Sequence, residues 1–317
     1  MKLTNEQITS LTFGAVAIEE REDGLHFFKC TKRQIAAWYA LSQSLGERAE
    51  ITTTGVRLDL HTDARELKIS GDGKFEVLIN GLLRTSLTPN GGESVSLALT
   101  DPLGVPQDEG RVTLVFPSHS CGVLREVELV GATYARPHEF QKKILFYGDS
   151  ITQGWNSNWD CLSYAWRVTQ FFDAESIIHG VGGGYFHPDL VDRVPLDPDA
   201  IVVAFGTNDF GKRETADELR RYTRGFMDRI VEEYPDKTVF CISPIWRAVQ
   251  QKPMGSFAEC RAVIIDEAMA HGFVHVDGLD LVPPLPELFT DPDPLHPGDL
   301  GFGIYAENLI RVMAREL

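Results

Sequence analysis

Apolar residues follow two different spacings along this chain, and the change falls near residue 140. Before it, short runs alternate apolar and polar positions: Val56-Arg57-Leu58-Asp59-Leu60, Glu66-Leu67-Lys68-Ile69, Phe75-Glu76-Val77-Leu78-Ile79 and Val95-Ser96-Leu97-Ala98-Leu99. Residues 111–116 and 123–129 continue the series. Period-two alternation puts one face of a strand in a core and the other in water. Asp72-Gly73, Asn80-Gly81 and Asn90-Gly91-Gly92 supply hairpin and loop punctuation between the runs. Many short strands with turns between them predict an all-β sandwich of jelly-roll type over residues 1–140.

Beyond residue 140, apolar runs expected as strands (144–147, 176–178, 201–205, 238–242 and 274–276) alternate with longer helical patterns at 162–172, 215–233, 257–270 and 301–314. Thr215 with Glu218 reads as a capping box opening the second helix. Strand–helix alternation predicts an α/β domain over residues 141–317, a doubly wound parallel sheet covered by helices on both faces. The segment 132–143, with Arg136-Pro137-His138, is expected to link the two domains.

Composition narrows the function. A chain of 317 residues with 43% hydrophobic and 24% charged content is that of a globular protein of one large or two ordinary domains. A formal net charge of −16 argues against nucleic acid or an anionic membrane as partner and favours neutral or cationic substrates. The N-terminal residues lack an apolar signal core and no run approaches a membrane span, so a cytoplasmic protein is expected. Five scattered cysteines without Cys-x-x-Cys spacing fit reduced thiols rather than disulfides or zinc. His271, His275 and Asp277 straddle a helix end and a strand, and His187 and Asp192 lack a third ligand nearby. No metal is expected. Neither a phosphate loop nor a dinucleotide fingerprint occurs, so no cofactor is expected either.

The candidate chemistry begins at Ile144-Leu145-Phe146-Tyr147-Gly148-Asp149-Ser150-Ile151-Thr152, a buried strand ending in a glycine turn and a serine. Ligands of open α/β sheets bind at the carboxyl ends of the strands, and a serine on a tight strand-to-helix turn is presented there as a nucleophile. Three further segments follow in order: Gly180-Val181-Gly182-Gly183-Gly184, Gly206-Thr207-Asn208-Asp209, and Asp293-Pro294-Leu295-His296 before the last helix. With these four blocks the chain, from about residue 142 to its end, resembles the SGNH or GDSL-type hydrolases. The order of sandwich and α/β domain is similar to two-domain carbohydrate acetylesterases and some acyltransferases of that superfamily. Thr54-Gly55-Val56-Arg57 and Thr62-Asp63-Ala64-Arg65 are similar to their N-terminal module. The resemblance implies a flavodoxin-like fold for the second domain.

The resemblance also implies roles. Ser150 would be the nucleophile, His296 the base and Asp293 the group that orients the imidazole, with Asp291 a rival two residues earlier. The oxyanion would be met by the Ser150 N–H, a glycine N–H from 182–184 (Gly183 by alignment of the block) and the Asn208 side-chain amide. The three consecutive glycines depart from the family's usual block, where asparagine or serine often interrupts them. Asp149 and Asp209 read as turn anchors. Trp155, Trp159 and Tyr185 are candidate substrate-binding walls, together with Asn158 and, as weaker candidates, Trp246 and Phe210.

The expected activity is a metal-independent serine esterase that removes a small acyl group, acetyl first, from a carbohydrate or other hydroxylated small molecule. Its partner is then a small-molecule or oligosaccharide ester. Two alternatives stay open: an acyltransferase that passes the acyl group to an alcohol, and an inactive carbohydrate-binding protein. The sandwich is expected to shape the cleft entrance, to bind sugar, or to serve as a packing platform or homo-oligomer surface.

Overall fold

The alternating runs of the first part of the chain form two antiparallel sheets, in a computed structural model that describes residues 1–101, 103–105, 109–290 and 295–317. One sheet orders the strands 12–13, 57–62, 110–115, 75–79 and 82–87, with 135–137 also pairing 57–62. The other orders 17–21, 24–28, 123–130, 66–72 and 94–98. Leu58, Leu60, Val77, Ile79, Val112 and Leu114 of the first sheet meet Leu25, Phe27, Leu67, Ile69, Val127 and Leu129 of the second in one apolar core. Burial of these side chains is the main term that holds the sandwich. At Asn80-Gly81 both residues take positive φ (52° and 77°), as a two-residue hairpin turn of the primed kind requires.

Alternation misled at one strand. Arg57 and Asp59 sit on the polar face of Arg57–Thr62, yet each is 1% exposed. Arg111 donates to both oxygens of Asp59 at 2.7 and 2.8 Å, and the Arg57 guanidinium lies 4.7 Å from the centre of the Phe140 ring. A buried charge needs such partners, and here the sheet supplies them.

Two further expectations are corrected. Residues 132–143 are not a free linker, because Ala135–Pro137 pairs with Leu60–Thr62 and Lys142–Lys143 already belongs to the next sheet. Nor does the first unit hold the whole of residues 1–140. The chain divides into Met1–Cys30 with Glu50–Gln141, and Thr31–Ala49 with Lys142–Leu317. Residues 31–51 carry two helices, α1 (Lys32–Leu41) and α2 (Gln43–Ile51), where only strands were expected. A reciprocal capping box opens α1: the Thr31 hydroxyl accepts the Gln34 N–H at 3.1 Å and the Gln34 side chain accepts the Thr31 N–H at 2.9 Å.

The second unit is built on five parallel strands: β1 (Lys142–Gly148), β2 (Ala174–Gly180), β3 (Ala200–Ala204), β4 (Thr238–Ile242) and β5 (Val274–Val276), in the order β2-β1-β3-β4-β5. That is the flavodoxin-like order, whose switch point lies between β1 and β3. Ile144 and Phe146 share a core with Tyr164 and Val168 of helix Tyr164–Phe171 and Phe302 and Leu309 of helix Asp299–Met313. Tyr147 points to the opposite face, where its ring meets Phe226 of helix Ala216–Glu233 at 5.6 Å. The box expected at Thr215 is half made. Its hydroxyl accepts the Glu218 N–H at 3.1 Å, but the Glu218 carboxylate turns to the Glu214 N–H at 3.0 Å.

Candidate active site

Strand β1 ends at Gly148, and Asp149 caps a one-turn helix, Ser150–Gln153, by accepting the Ile151 N–H at 2.9 Å. The turn can pack against the end of β2 because residue 180 is glycine: a Cβ there would stand 2.5 Å from the Gln153 backbone nitrogen. Ser150 is thereby fixed at the carboxyl edge of the sheet, 8% exposed. Its Oγ lies 2.7 Å from His296 Nε2, across 146 residues of sequence. This is the distance at which a hydroxyl passes its proton to an imidazole.

His296 is held from behind. Its carbonyl accepts the Thr290 N–H at 3.1 Å, and Phe289 and Pro297 form a β-bridge beside it. The exposed Trp155 ring lies 6.3 Å from the imidazole, centre to centre. Both candidate orienting carboxylates, Asp293 and Asp291, lie outside the described residues. The loop that carries Trp155 is pinned by Asp299, whose carboxylate accepts from Ser157 Oγ at 2.8 Å and from Asn158 N and Nδ2 at 2.9 and 2.7 Å.

After β2 the glycine block makes a tight turn, closed by the Gly184 N–H on the Val181 carbonyl at 2.8 Å. Gly183 takes φ +85°, the value that a type II turn demands of its third residue. Gln153 Oε1 accepts the Gly182 N–H at 2.8 Å. With the neighbouring amides occupied on both sides, the Gly183 N–H has no acceptor among the described residues. The Ser150 N–H opens a helix, where first-turn amides have no partner within the helix.

Asn208 follows β3. Its Nδ2 donates to the Gly184 carbonyl at 2.9 Å and, more loosely, to Asp149 Oδ2 at 3.3 Å. Asp209 accepts the Phe186 N–H at 3.2 Å and Arg213 Nε at 3.3 Å, and Arg213 Nη2 donates to the Phe186 carbonyl at 2.6 Å. The loops after β2 and β3 are thus stitched together through side chains. Burial pushes the Asp149 carboxyl up to about 7, with the nearby charge of Asp209 adding to it. Burial likewise raises Asp209 to about 6, against the pull of Arg213.

The candidate walls separate. Trp155 stands beside His296, whereas Tyr185 is half-buried between Lys212 and Arg213, each 4.8 Å from its ring centre. Trp159 is half-buried, and its carbonyl accepts from Ser157 Oγ at 2.7 Å. Trp246 packs on Phe289 at 5.4 Å. Phe210 does not line a pocket, because it is fully buried against Phe257.

Three side chains at the site were missed by sequence reasoning. Gln153 had a signal: three residues after Ser150, it returns to the same side of the helical turn. Arg247 Nη1 donates to the Thr207 carbonyl at 2.7 Å, and Arg48 Nη1, from α2, donates to the Gly182 carbonyl at 2.6 Å. Neither arginine had a local signature, since their partners lie 40 and 134 positions away.

Comparison with solved structures shows the same fold at low identity. Salicylyl-acyltransferase SsfX3 from a tetracycline biosynthetic pathway matches with a TM-score of 0.86 and 20% identity, over 100% of this chain and 97% of that one. A family two carbohydrate esterase from Cellvibrio japonicus gives 0.70 and 16%, over 99% and 97%. An acetyl xylan esterase from the rumen bacterium Butyrivibrio proteoclasticus gives 0.65 and 14%, over 100% and 98%. No curated protein matches the chain by sequence. The GDSL-like Lipase/Acylhydrolase family matches residues 146–304, a span that runs from the strand before Ser150 to the helix after His296, and the chain belongs to that family.

Proposed function

We propose that the protein is a serine esterase that removes a small acyl group, acetyl first, from a carbohydrate or other hydroxylated small molecule. The contact of Ser150 Oγ with His296 Nε2 at 2.7 Å carries this reading. Ser150 attacks the ester carbonyl while its proton passes to His296, and Asp293 orients the imidazole. The Ser150 and Gly183 N–H groups and the Asn208 amide receive the oxyanion. His296 then gives its proton to the departing alcohol. A water, deprotonated by the same imidazole, attacks the acyl-enzyme and releases the acid and Ser150.

A small acyl group on a sugar is supported by the kinship of fold with a family two carbohydrate esterase and an acetyl xylan esterase. Trp155, exposed beside His296, offers a sugar ring a flat apolar face. Five free cysteines fit a reducing compartment and a cytoplasmic setting. No helix among the described residues is long and apolar enough to cross a membrane. Transfer of the acyl group to an alcohol instead of water is the second reading, supported by the higher TM-score against the acyltransferase fold.

Hydrolysis of p-nitrophenyl acetate, butyrate and octanoate by the wild type and Ser150→Ala tests the first reading. Turnover that depends on Ser150 and falls with chain length supports it. Product partitioning to an added alcohol in preference to water would move the assignment to a transferase. Failure of a fluorophosphonate to label Ser150 would sink both and leave a binding protein.

A further inference from the structure

We propose that Arg48 is a positioning residue of the oxyanion hole, and that helix α2 therefore belongs to the catalytic apparatus. The inference rests on the esterase reading and on Gly183 as an oxyanion donor.

The peptide that joins Gly182 to Gly183 is the central unit of the turn Val181–Gly184. The turn's own hydrogen bond runs from the Gly184 N–H to the Val181 carbonyl, so it does not involve either polar group of that central peptide. Type I and type II turns differ by rotation of this unit: the third residue takes φ near −90° in one and near +80° in the other. Glycine accepts both signs of φ. With glycine at 182 and 183, local sequence leaves the peptide free to flip. A flip would reverse the Gly183 N–H and remove it from the site.

Arg48 fixes the other end of the same peptide. Its Nη1 donates to the Gly182 carbonyl at 2.6 Å, and a planar trans peptide then sends the Gly183 N–H the opposite way. A Cβ built on Gly182 would stand 3.8 Å from Arg48 Nη1 and 3.8 Å from Ser150 Cβ, so the clamped carbonyl belongs to the residue that borders the nucleophile. A guanidinium bond is charge-assisted, and it polarises the amide so that its N–H becomes a stronger donor. Gln153 on the Gly182 N–H and the Val181 carbonyl on the Gly184 N–H hold the flanking peptides, which leaves the central one to Arg48.

The pair of helices α1 and α2 is itself secured within the same unit, α1 by Trp38, Gln34 and its cap Thr31, and α2 by Leu45. Trp38 is 2% exposed, and its ring edge would meet a Cβ on Gly184 at 2.9 Å. Gln34 Nε2 donates to the Leu190 carbonyl at 3.0 Å, and Thr31 Oγ1 donates to Asp192 Oδ2 at 2.6 Å. Leu45 is buried, and its Cδ2 would lie 3.4 Å from a Cβ on Gly183.

Steady-state kinetics on p-nitrophenyl acetate with the wild type, Ser150→Ala, Arg48→Met and Arg48→Lys decide the matter. Arg48→Met should lower kcat by about 100-fold, the size of effect seen when one oxyanion donor is lost, with KM within about twofold. Arg48→Lys, which keeps one cationic donor for the carbonyl, should retain kcat within about tenfold and answers the question if the methionine variant does not fold. Added guanidinium ion should recover part of the kcat of Arg48→Met. Wild-type kcat in Arg48→Met, or a loss carried by KM with kcat kept, overturns the inference alone. A loss in folded Arg48→Lys as large as about 100-fold also overturns it. If the wild type shows no turnover above Ser150→Ala, the esterase reading falls and the inference falls with it.

Discussion

Asn208 and Asp149 face each other across the ends of adjacent strands, with Nδ2 donating to Oδ2 at 3.3 Å. The second hydrogen of the same amide goes to the Gly184 carbonyl at 2.9 Å. Only the longer of these bonds can be surrendered to a substrate without loosening the glycine turn. Asp149 thus orients the amide that is proposed to exchange one weak acceptor for a developing oxyanion.

Asn208→Ala should therefore lower kcat by about 10²- to 10³-fold, corresponding to about 3–4 kcal/mol of barrier, with a small change in KM. Stability should change little by comparison, because only one hydrogen bond of ordinary length is lost. Equal losses in kcat and in binding of the unreactive alcohol product would instead mark Asn208 as a ground-state contact.

The Asp149 carboxyl supplies a pH signature. Its value in the fold is pushed up to about 7, against 3.8 for an unperturbed aspartate. The folded protein therefore holds a proton here that the unfolded chain has released. Stability from this group is full below about pH 4 and is lost as pH rises through about 7. Asp149→Asn carries no such proton, so its Tm relative to wild type should rise between pH 5 and pH 8. Asp209, shifted in the same direction, is present in both proteins, and its coupling to Asp149 is part of the difference read. A Tm difference that stays flat across this range would show that Asp149 ionises as easily in the fold as out of it.

Gly183→Ala tests the turn from the other side. At φ +85° an L-residue pays about 1–2 kcal/mol, and the new methyl would stand 3.2 Å from Arg48 Nη1. The turn relaxes most easily by flipping the central peptide, which withdraws the Gly183 N–H. The expected result is a kcat loss of at least about tenfold that exceeds what the drop in Tm explains. A variant with reduced Tm but unchanged kcat would place the donor elsewhere.

The parallel sheet was legible because its central strands are buried on both faces and read as continuous apolar runs, as at 201–205 and 238–242 on β3 and β4; the half-buried edge strand β5 was also read, at 274–276. Two edge strands of the sandwich were not. Ala17–Arg21 and Leu82–Leu87 are mostly half-buried with no alternation along either strand, so their burial leaves no period-two signal. Helix α1 was passed over although Thr31 and Gln34 stand at capping-box spacing, because the surrounding runs all read as strands. Ser150 and His296, which the fold brings to 2.7 Å, were legible as blocks with fixed local spacing. Arg48 was not, since its role depends on a carbonyl 134 residues away, and no local pattern encodes that meeting.

Trp155 offers a prediction about substrate in place of chemistry. Its ring is 40% exposed and leans over His296, so removing it disturbs little packing. Trp155→Ala should keep kcat on p-nitrophenyl acetate within about threefold while raising KM for an acetylated sugar by about tenfold, equivalent to about 1.4 kcal/mol of stacking. A kcat loss on both substrates would mean that the indole holds the imidazole in place and does not contact sugar.

Thr31 caps α1 and ties its start to Asp192, and its substitution separates stability from catalysis. The hydroxyl oxygen accepts the Gln34 N–H at 3.1 Å and its proton goes to Asp192 Oδ2 at 2.6 Å. Loss of an N-cap costs about 1 kcal/mol, and loss of a hydrogen bond to a carboxylate about 1.5–3 kcal/mol. Asp192 keeps Arg33 Nη1 at 3.2 Å, which places the combined cost nearer the lower sum. Thr31→Ala should thus lower Tm by several degrees. If α1 and α2 matter to the reaction only through the Arg48 clamp, kcat at 25 °C should fall by less than about threefold, because Trp38 and Gln34 still hold the helices. A kcat loss as large as that of Arg48→Met, with most of the stability retained, would mean that the start of α1 sets the glycine turn by a route other than the guanidinium.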